Sequence, residues 1–281
     1  MINLKTSAAF AVLAALLAAG DANAAATEIT VDLKLDNIDY VTHERVRAVI
    51  SIDNISPDDI SVGYKDSRDM LFVEIFRTSD MAQLEQIGRR PFTARFRLKP
   101  NGKQKLETYL GDHYGLSEPR RYLARPVLVH GGVRYEGQYR AFDIVPGMEV
   151  DSYMQTFASP AGLSREFDLV HWSRKGREHL FLKSRNAGEG GRDFETRDLG
   201  ILMKITKPVI SILPSGKVLV LHRYGPDDFI RTEFWSMPER LEFISREVVR
   251  DPETAGQAKV QELYEQSGGI KPVERPWWKF W

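Results

Sequence analysis

The sequence predicts an all-β protein of two tandem antiparallel β-sandwich domains, followed by a short C-terminal helix and an aromatic tail. Three observations carry this expectation. Apolar and polar residues alternate at period two over short runs, as strands with one buried face require. The runs are separated by clusters of Gly, Pro, Asn and Asp, residues that favour turns. The 281 residues are 42% hydrophobic, enough for two ordinary domains that each bury a core.

Residues 1–24 come first and read as a cleavable signal peptide. Lys5 gives a short positive start, Ala8 to Ala19 run without a polar residue, and Ala22-Asn23-Ala24 places small residues where a signal peptidase reads them. The apolar run is too short for a stable membrane span. The mature chain is therefore expected to begin at Ala25, and to be periplasmic or secreted.

The first sandwich is expected over residues 27–147. Ile29, Val31, Leu33 and Leu35 recur at period two, as do Val46, Ala48, Ile50 and Ile52, which run into the turn-forming stretch Asp53 to Asp59. Met70 to Phe76 and Phe92 to Leu98 follow, the latter ending at the turn signal Asn101-Gly102. Arg121 to Val129 and Val133 to Tyr139 flank Gly131-Gly132 as a hairpin, and Ala141 to Val145 closes the unit. Short strands at this spacing suit an immunoglobulin-like sandwich, although the antibody pattern of two Cys across a Trp is absent.

Residues 148–164 are expected to be a linker, since Pro146, Gly147, Ser152, Ser159, Pro160 and Gly162 interrupt the periodicity. The second sandwich is expected over 165–250. It begins with a hairpin, Glu166 to Trp172 and Arg177 to Lys183 around Ser173-Arg174-Lys175-Gly176. Strands at Leu199 to Ile205, Val209 to Leu213, Lys217 to His222, Phe229 to Trp235 and Arg240 to Val249 complete it. Asp251-Pro252-Glu253 carries the start signals of a helix, an N-cap, a first-turn proline and an acid, which predicts a helix over 251–267. An aromatic tail, 268–281, ends the chain.

Charge and cysteine content exclude several classes. Lys plus Arg and Asp plus Glu balance at 39 each, so the chain lacks the basic footprint that nucleic-acid binding requires. With no cysteine, disulfide staples, an acylated-cysteine anchor and thiolate metal sites are all ruled out. No cofactor is implied.

The tail supplies the candidate contact residues. Trp277, Trp278, Lys279, Phe280 and Trp281 place three of the five tryptophans within the last five positions. Tryptophan combines a large apolar ring with an N–H that wants a partner, a pairing suited to interfaces. The tail is expected to dock on a protein or envelope-surface partner. The alternative is that it folds back into a groove of its own protein.

Other candidates point to ordinary structure. His171 and His179 could meet across their hairpin near Glu166 and Glu178, but a metal needs at least three converging ligands. The acidic turns at Asp53 to Asp59 and at Asp227-Asp228 lack the alternating ligands and closing Glu of a calcium loop. There is no Gly-x-Ser-x-Gly elbow, phosphate loop, dinucleotide fingerprint or His-Glu-x-x-His pair, so no catalytic residue is assigned. The expectation is an exported, non-enzymatic binding or scaffolding protein of the cell envelope. Its rival is a secreted hydrolase acting on envelope or polysaccharide material, with its cleft between the sandwiches near residues 146–165.

Overall fold

The computed structural model describes residues 28–87, 92, 95–157, 163–187 and 193–250. The expected signal (1–24), helix (251–267) and aromatic tail (268–281) lie outside the described residues. Among the described residues the chain is nearly all β, in several largely antiparallel sheets, and no helix is long and apolar enough to cross a membrane.

The N-terminal half begins with β1 (Ile29–Leu35), β2 (Asp39–Val41) and β3 (Arg47–Asn54), followed by the short β4 (Ile60–Val62) and the longer β5 (Met70–Arg77). After β6 (Phe96–Leu98) and β7 (Gly102–Tyr109), a single 3-10 turn at Leu110–Asp112 leads to β8 (Arg120–His130), β9 (Val133–Glu136) and β10 (Arg140–Val145). One sheet runs β1-β3-β7, a second runs β2-β10-β8-β5 with β9 also on β8, and β4 pairs with β6. Period-two patterning sets the register. Leu33 lies opposite Ile50 and Ile50 opposite Leu106, so their side chains share one face. Ile29, Val31 and Leu33 are buried while Thr30, Asp32 and Lys34 between them are exposed. A single core, including Leu33, Tyr40, Ile50, Ile75, Tyr122 and Phe142, joins the sheets of this half.

The C-terminal half starts at once, with β11 (Met148–Thr156), β12 (Ser164–Arg174), β13 (Arg177–Ala187) and β14 (Asp193–Ile201) in one antiparallel sheet. A second sheet holds β15 (Val209–Ile212), β16 (Lys217–Arg223), β17 (Phe229–Met237) and β18 (Arg240–Val249). The β12–β13 hairpin turns through Lys175 and Gly176, at φ of 52° and 75°, the two positive values that a tight two-residue hairpin turn demands. Phe167, Leu169, Leu180 and Leu182 of the first sheet and Val218, Val220 and Phe234 of the second form one core.

The structure corrects the expected linker over 148–164. Met148–Thr156 is β11, paired along β12 from Met148 opposite His171 to Thr156 opposite Ser164. As an edge strand it leaves Glu149, Ser152, Met154 and Thr156 exposed and sends only Val150 and Tyr153 toward the core, too little apolar pattern to read as a strand. The expected strand from Phe92 to Leu98 is shorter than its apolar pattern, with β6 covering only Phe96–Leu98.

The central strands of the β11–β14 sheet, β12 and β13, are packed on both faces. Val170 and Phe181 lie opposite each other on the face turned from its own core, where they pack on Val41, with Val145 and Trp172 partly buried beside them. This face joins the two halves.

Candidate functional site

Two regions of the molecule gather polar groups around a cleft: the seam between the halves, and a groove beside β5. At the seam, side chains alternate along β12 so that Arg174 shares a face with Val170 and Trp172. Asp198 lies opposite Phe181 and therefore on the same face. Arg174 donates through both terminal nitrogens to Glu44, at 3.1 and 2.6 Å, and also to Asp198 Oδ2 at 3.1 Å and the Asp39 carbonyl at 3.1 Å. Its side chain is only 6% exposed. Burial opposes the charge, but the hydrogen bonds to Glu44 and the nearby Asp198 outweigh it and hold the guanidinium above its ordinary value. Arg174 Cζ also lies 4.9 Å from the Phe181 ring centre.

The carboxylates are as fully engaged as the arginine. Burial pushes Glu44 up, opposed by Arg174 and by the Val41 N–H, which donates to Oε2 at 2.9 Å. Asp198 accepts from the Gly200 N–H at 2.6 Å and lies 3.0 Å from His179 Nδ1. Backbone pairing closes the rest of the seam. Thr196 N–H donates to the His43 carbonyl at 3.2 Å, and Thr196 Oγ1 donates to the Thr42 carbonyl at 2.6 Å. Two clefts of about 300 and 400 Å³ flank this contact and share Glu44, Arg45 and Glu195. Each carboxylate that lines them is met by an arginine: Glu44 and Asp198 by Arg174, Glu195 by Arg197, and Asp112 by Arg45.

The second region is a groove of about 700 Å³ beside β5. β5 is the last strand of its sheet, with β8 on one side only. On the other side Leu84 N–H donates to the Ile75 carbonyl at 2.7 Å and Arg77 N–H to the Ala82 carbonyl at 3.0 Å. Ile75 and Arg77 thus turn their backbone groups outward. Because no register shift interrupts β5, Leu71 and Val73 do the same. Tyr114 Oη donates to the Val73 carbonyl, and burial pushes this phenol up to about 12, so it stays a donor. Among the described residues no hydrogen-bond partner meets the Leu71 N–H, the Leu71 carbonyl or the Val73 N–H on this side. Val62, Met70, Leu84, Phe92 and Tyr114 make an apolar wall, and Asp69 and Glu85 are the charged residues among the described lining. Met70 is 54% exposed.

Among the described residues, those singled out from the sequence do not converge. The tail residues Trp277, Trp278, Lys279, Phe280 and Trp281 lie outside the described residues. His171 lies opposite Leu180 and His179 opposite Trp172, so the two imidazoles occupy opposite faces of the sheet. His171 meets Glu178 at 2.9 Å, His179 meets Asp198, and Glu166 takes Arg185. Among the described residues no group of three potential ligands could hold a metal ion. In the acidic turn after β3, buried Asn54 donates to the Asp58 carbonyl at 2.9 Å and accepts from Ser56, which is ordinary turn chemistry. Sequence reasoning missed Arg174, Glu44 and Asp198, although an arginine next to a tight hairpin turn is the one local sign of the seam. It found β5 without its open edge.

No family model and no curated protein matches the sequence. Among solved structures the chain is similar to the alkylpurine DNA glycosylase AlkC of Pseudomonas fluorescens bound to DNA containing an abasic-site analogue. The TM-score is 0.29 at 13% identity over 42% of this chain, which spans 30% of that protein. It is also similar to Spo0M, a sporulation control protein from Bacillus subtilis, at a TM-score of 0.30 and 9% identity over 85% of this chain and 97% of that one. At these scores neither likeness carries an argument about fold or function.

Proposed function

We propose that this is an exported, non-enzymatic binding or scaffolding protein of the cell envelope, built as two tandem β-sandwiches of which the first is immunoglobulin-like. The leader-like residues 1–24 support export to the periplasm or beyond. The two separate cores support the tandem arrangement. The single observation that carries the binding reading is the free edge of β5. Among the described residues, three backbone groups there meet no hydrogen-bond partner, beside an apolar wall. An extended segment can pair with such an edge through its main chain and place alternate side chains against the wall. Trp277 to Trp281 supply the second contact element.

The clefts at the seam, which lie away from residues 146–165, lend the hydrolase reading no support. A glycosidase needs one carboxyl free to give a proton and another free to receive or attack. Glu44, Asp198, Glu195 and Asp112 are instead each committed to an arginine.

The test is capture from native envelope extract by the mature full chain, by its Met70→Glu variant and by a chain ending at Pro276. A partner retained by the full chain and lost from Met70→Glu supports docking at β5. Identical recovery by the full chain and Met70→Glu removes the groove from the interface, and no specific recovery by any of them sinks the binding reading.

A further inference from the structure

We infer that the smaller cleft at the seam is a binding site for a small organic monocarboxylate with an aromatic body, separate from the edge of β5. The cleft, of about 300 Å³, lies where β14 meets β17 and β18, a volume at the lower end of small-molecule sites. Two β-bulges shape it.

On β14, Asp198 pairs with Phe181 and Gly200 with Leu180, so Leu199 is an extra residue against its partner strand. Gly200 follows at a φ of 98°, and a Cβ there would run into the Arg246 guanidinium. The missing side chain lets that guanidinium lie against the β14 backbone, where Nη2 donates to the Leu199 carbonyl. On β18 the extra residue is Ile244, between the pairs Glu233–Ser245 and Phe234–Phe243. It brings Phe243 onto the same face as Phe234, Thr232 and Arg246, of which the last two lie directly opposite each other. Phe234 and Phe243 meet edge to face, with 6.0 Å between ring centres.

Charge selects the ligand. Arg45, Arg197 and Arg246 line the cleft together with Glu44, Glu195 and Asp198. Glu44 and Asp198 are taken by Arg174, Glu195 by Arg197, and Arg45 by Asp112. Among the described residues Arg246 meets no carboxylate, and one uncommitted cation suits a ligand of a single negative charge. At the closed end Thr232 is 1% exposed, and its buried Oγ1 has no hydrogen-bond partner among the described residues. Buried hydroxyls in folded proteins are ordinarily paired. A carboxylate entering between β14 and β18 accepts from both groups, with a charge-assisted bond from Arg246. The Arg246 side chain is exposed, so it can move with the ligand and uncover the hydroxyl. The aromatic body then rests on Phe243, which is 47% exposed.

The test is titration calorimetry of the mature chain with phenylacetate, with phenethylamine as the same body carrying the opposite charge, and with inorganic phosphate as an anion without the body. Phenylacetate is expected to saturate one site with a dissociation constant below about 1 mM. Arg246→Met should weaken it about ten-fold or more and Thr232→Val about three-fold, the losses that a charged and a neutral hydrogen bond imply. Thr232→Val keeps the shape of the side chain and carries the test if Arg246→Met does not fold. Failure to saturate by about 10 mM phenylacetate overturns the inference. Phosphate or phenethylamine bound as tightly as phenylacetate also overturns it, as does an affinity unchanged in the folded variants.

Discussion

β14 and β5 are both last strands of their sheets, and the chain treats their free edges in opposite ways. Along β14, Thr196 is paired to Thr42 and His43, and the adjoining Asp198 is neutralised by Arg174 within a contact that also engages Glu44. Along β5, the segment from Ala82 to Leu84 pairs with Arg77 and Ile75 and then departs, and among the described residues nothing meets the Leu71 backbone or the Val73 N–H beside exposed Met70. An edge held by backbone and ion-pair contacts of this kind serves to join two parts of one molecule. An edge with unanswered groups and an apolar wall retains the capacity to join something else. Sheets ordinarily protect such edges with charge, proline or a bulge, and β5 from Met70 to Val73 has none of the three.

The sharpest way to break this comparison is at Arg174. Replacing it with Met keeps the aliphatic packing on Phe181 but strands buried Glu44 without its cation. Loss of one partner from a buried pair typically costs about 3–5 kcal/mol, and a stability loss of that size is expected in urea unfolding of Arg174→Met. Adding Glu44→Gln should recover part of it. A loss below about 1 kcal/mol would mean that the seam's charges are incidental to how the halves are held together.

A second break comes from pH, behind the seam. His222 on β16 is 1% exposed, and burial, with Arg246 adding to it, pushes its imidazole down to about 4. The folded state therefore keeps this ring neutral, whereas the unfolded chain takes up a proton near the ordinary value of about 6.5. Stability from this group is complete above that pH and is lost as the pH falls toward about 4. Between pH 7.5 and pH 5 the loss should be about 2 kcal/mol. Urea unfolding of the wild type and of His222→Gln at both pH values isolates it. Parallel losses in the two proteins would show that His222 is not the source.

What could be read from the sequence follows from which faces meet water. β1 and β3 were legible because Ile29, Val31, Leu33, Ala48, Ile50 and Ile52 alternate with exposed or half-exposed residues. β7 was not, because the half-buried side of Gly102–Tyr109 carries Gln104, Leu106 and Thr108 and its other side is charged. β11 escaped for the same reason. The seam was illegible on different grounds. Arg174 is 130 residues from Glu44 and 24 from Asp198, and neither separation has a local signature. The groove lies between these cases. The run from Met70 to Phe76 marks a strand, but whether a strand is central or last depends on where every other strand pairs, which period-two patterning cannot express.

The mildest changes sharpen the comparison most, because they should separate stability from docking. Tyr114→Phe removes the donor to the buried Val73 carbonyl and should cost about 1 kcal/mol, while adding an acceptor to the open edge. Met70→Glu alters a side chain that is 54% exposed and should move stability by no more than about 0.5 kcal/mol. Its added carboxylate would stand beside Asp69 and Glu85 and would have to be desolvated under any apolar occupant. Docking at β5 should therefore collapse in Met70→Glu although the unfolding midpoint hardly shifts, and should survive in Tyr114→Phe although the midpoint falls. If both variants instead lose docking only in proportion to stability, the β5 edge is a structural margin like that of β14, and the contrast between the two disappears.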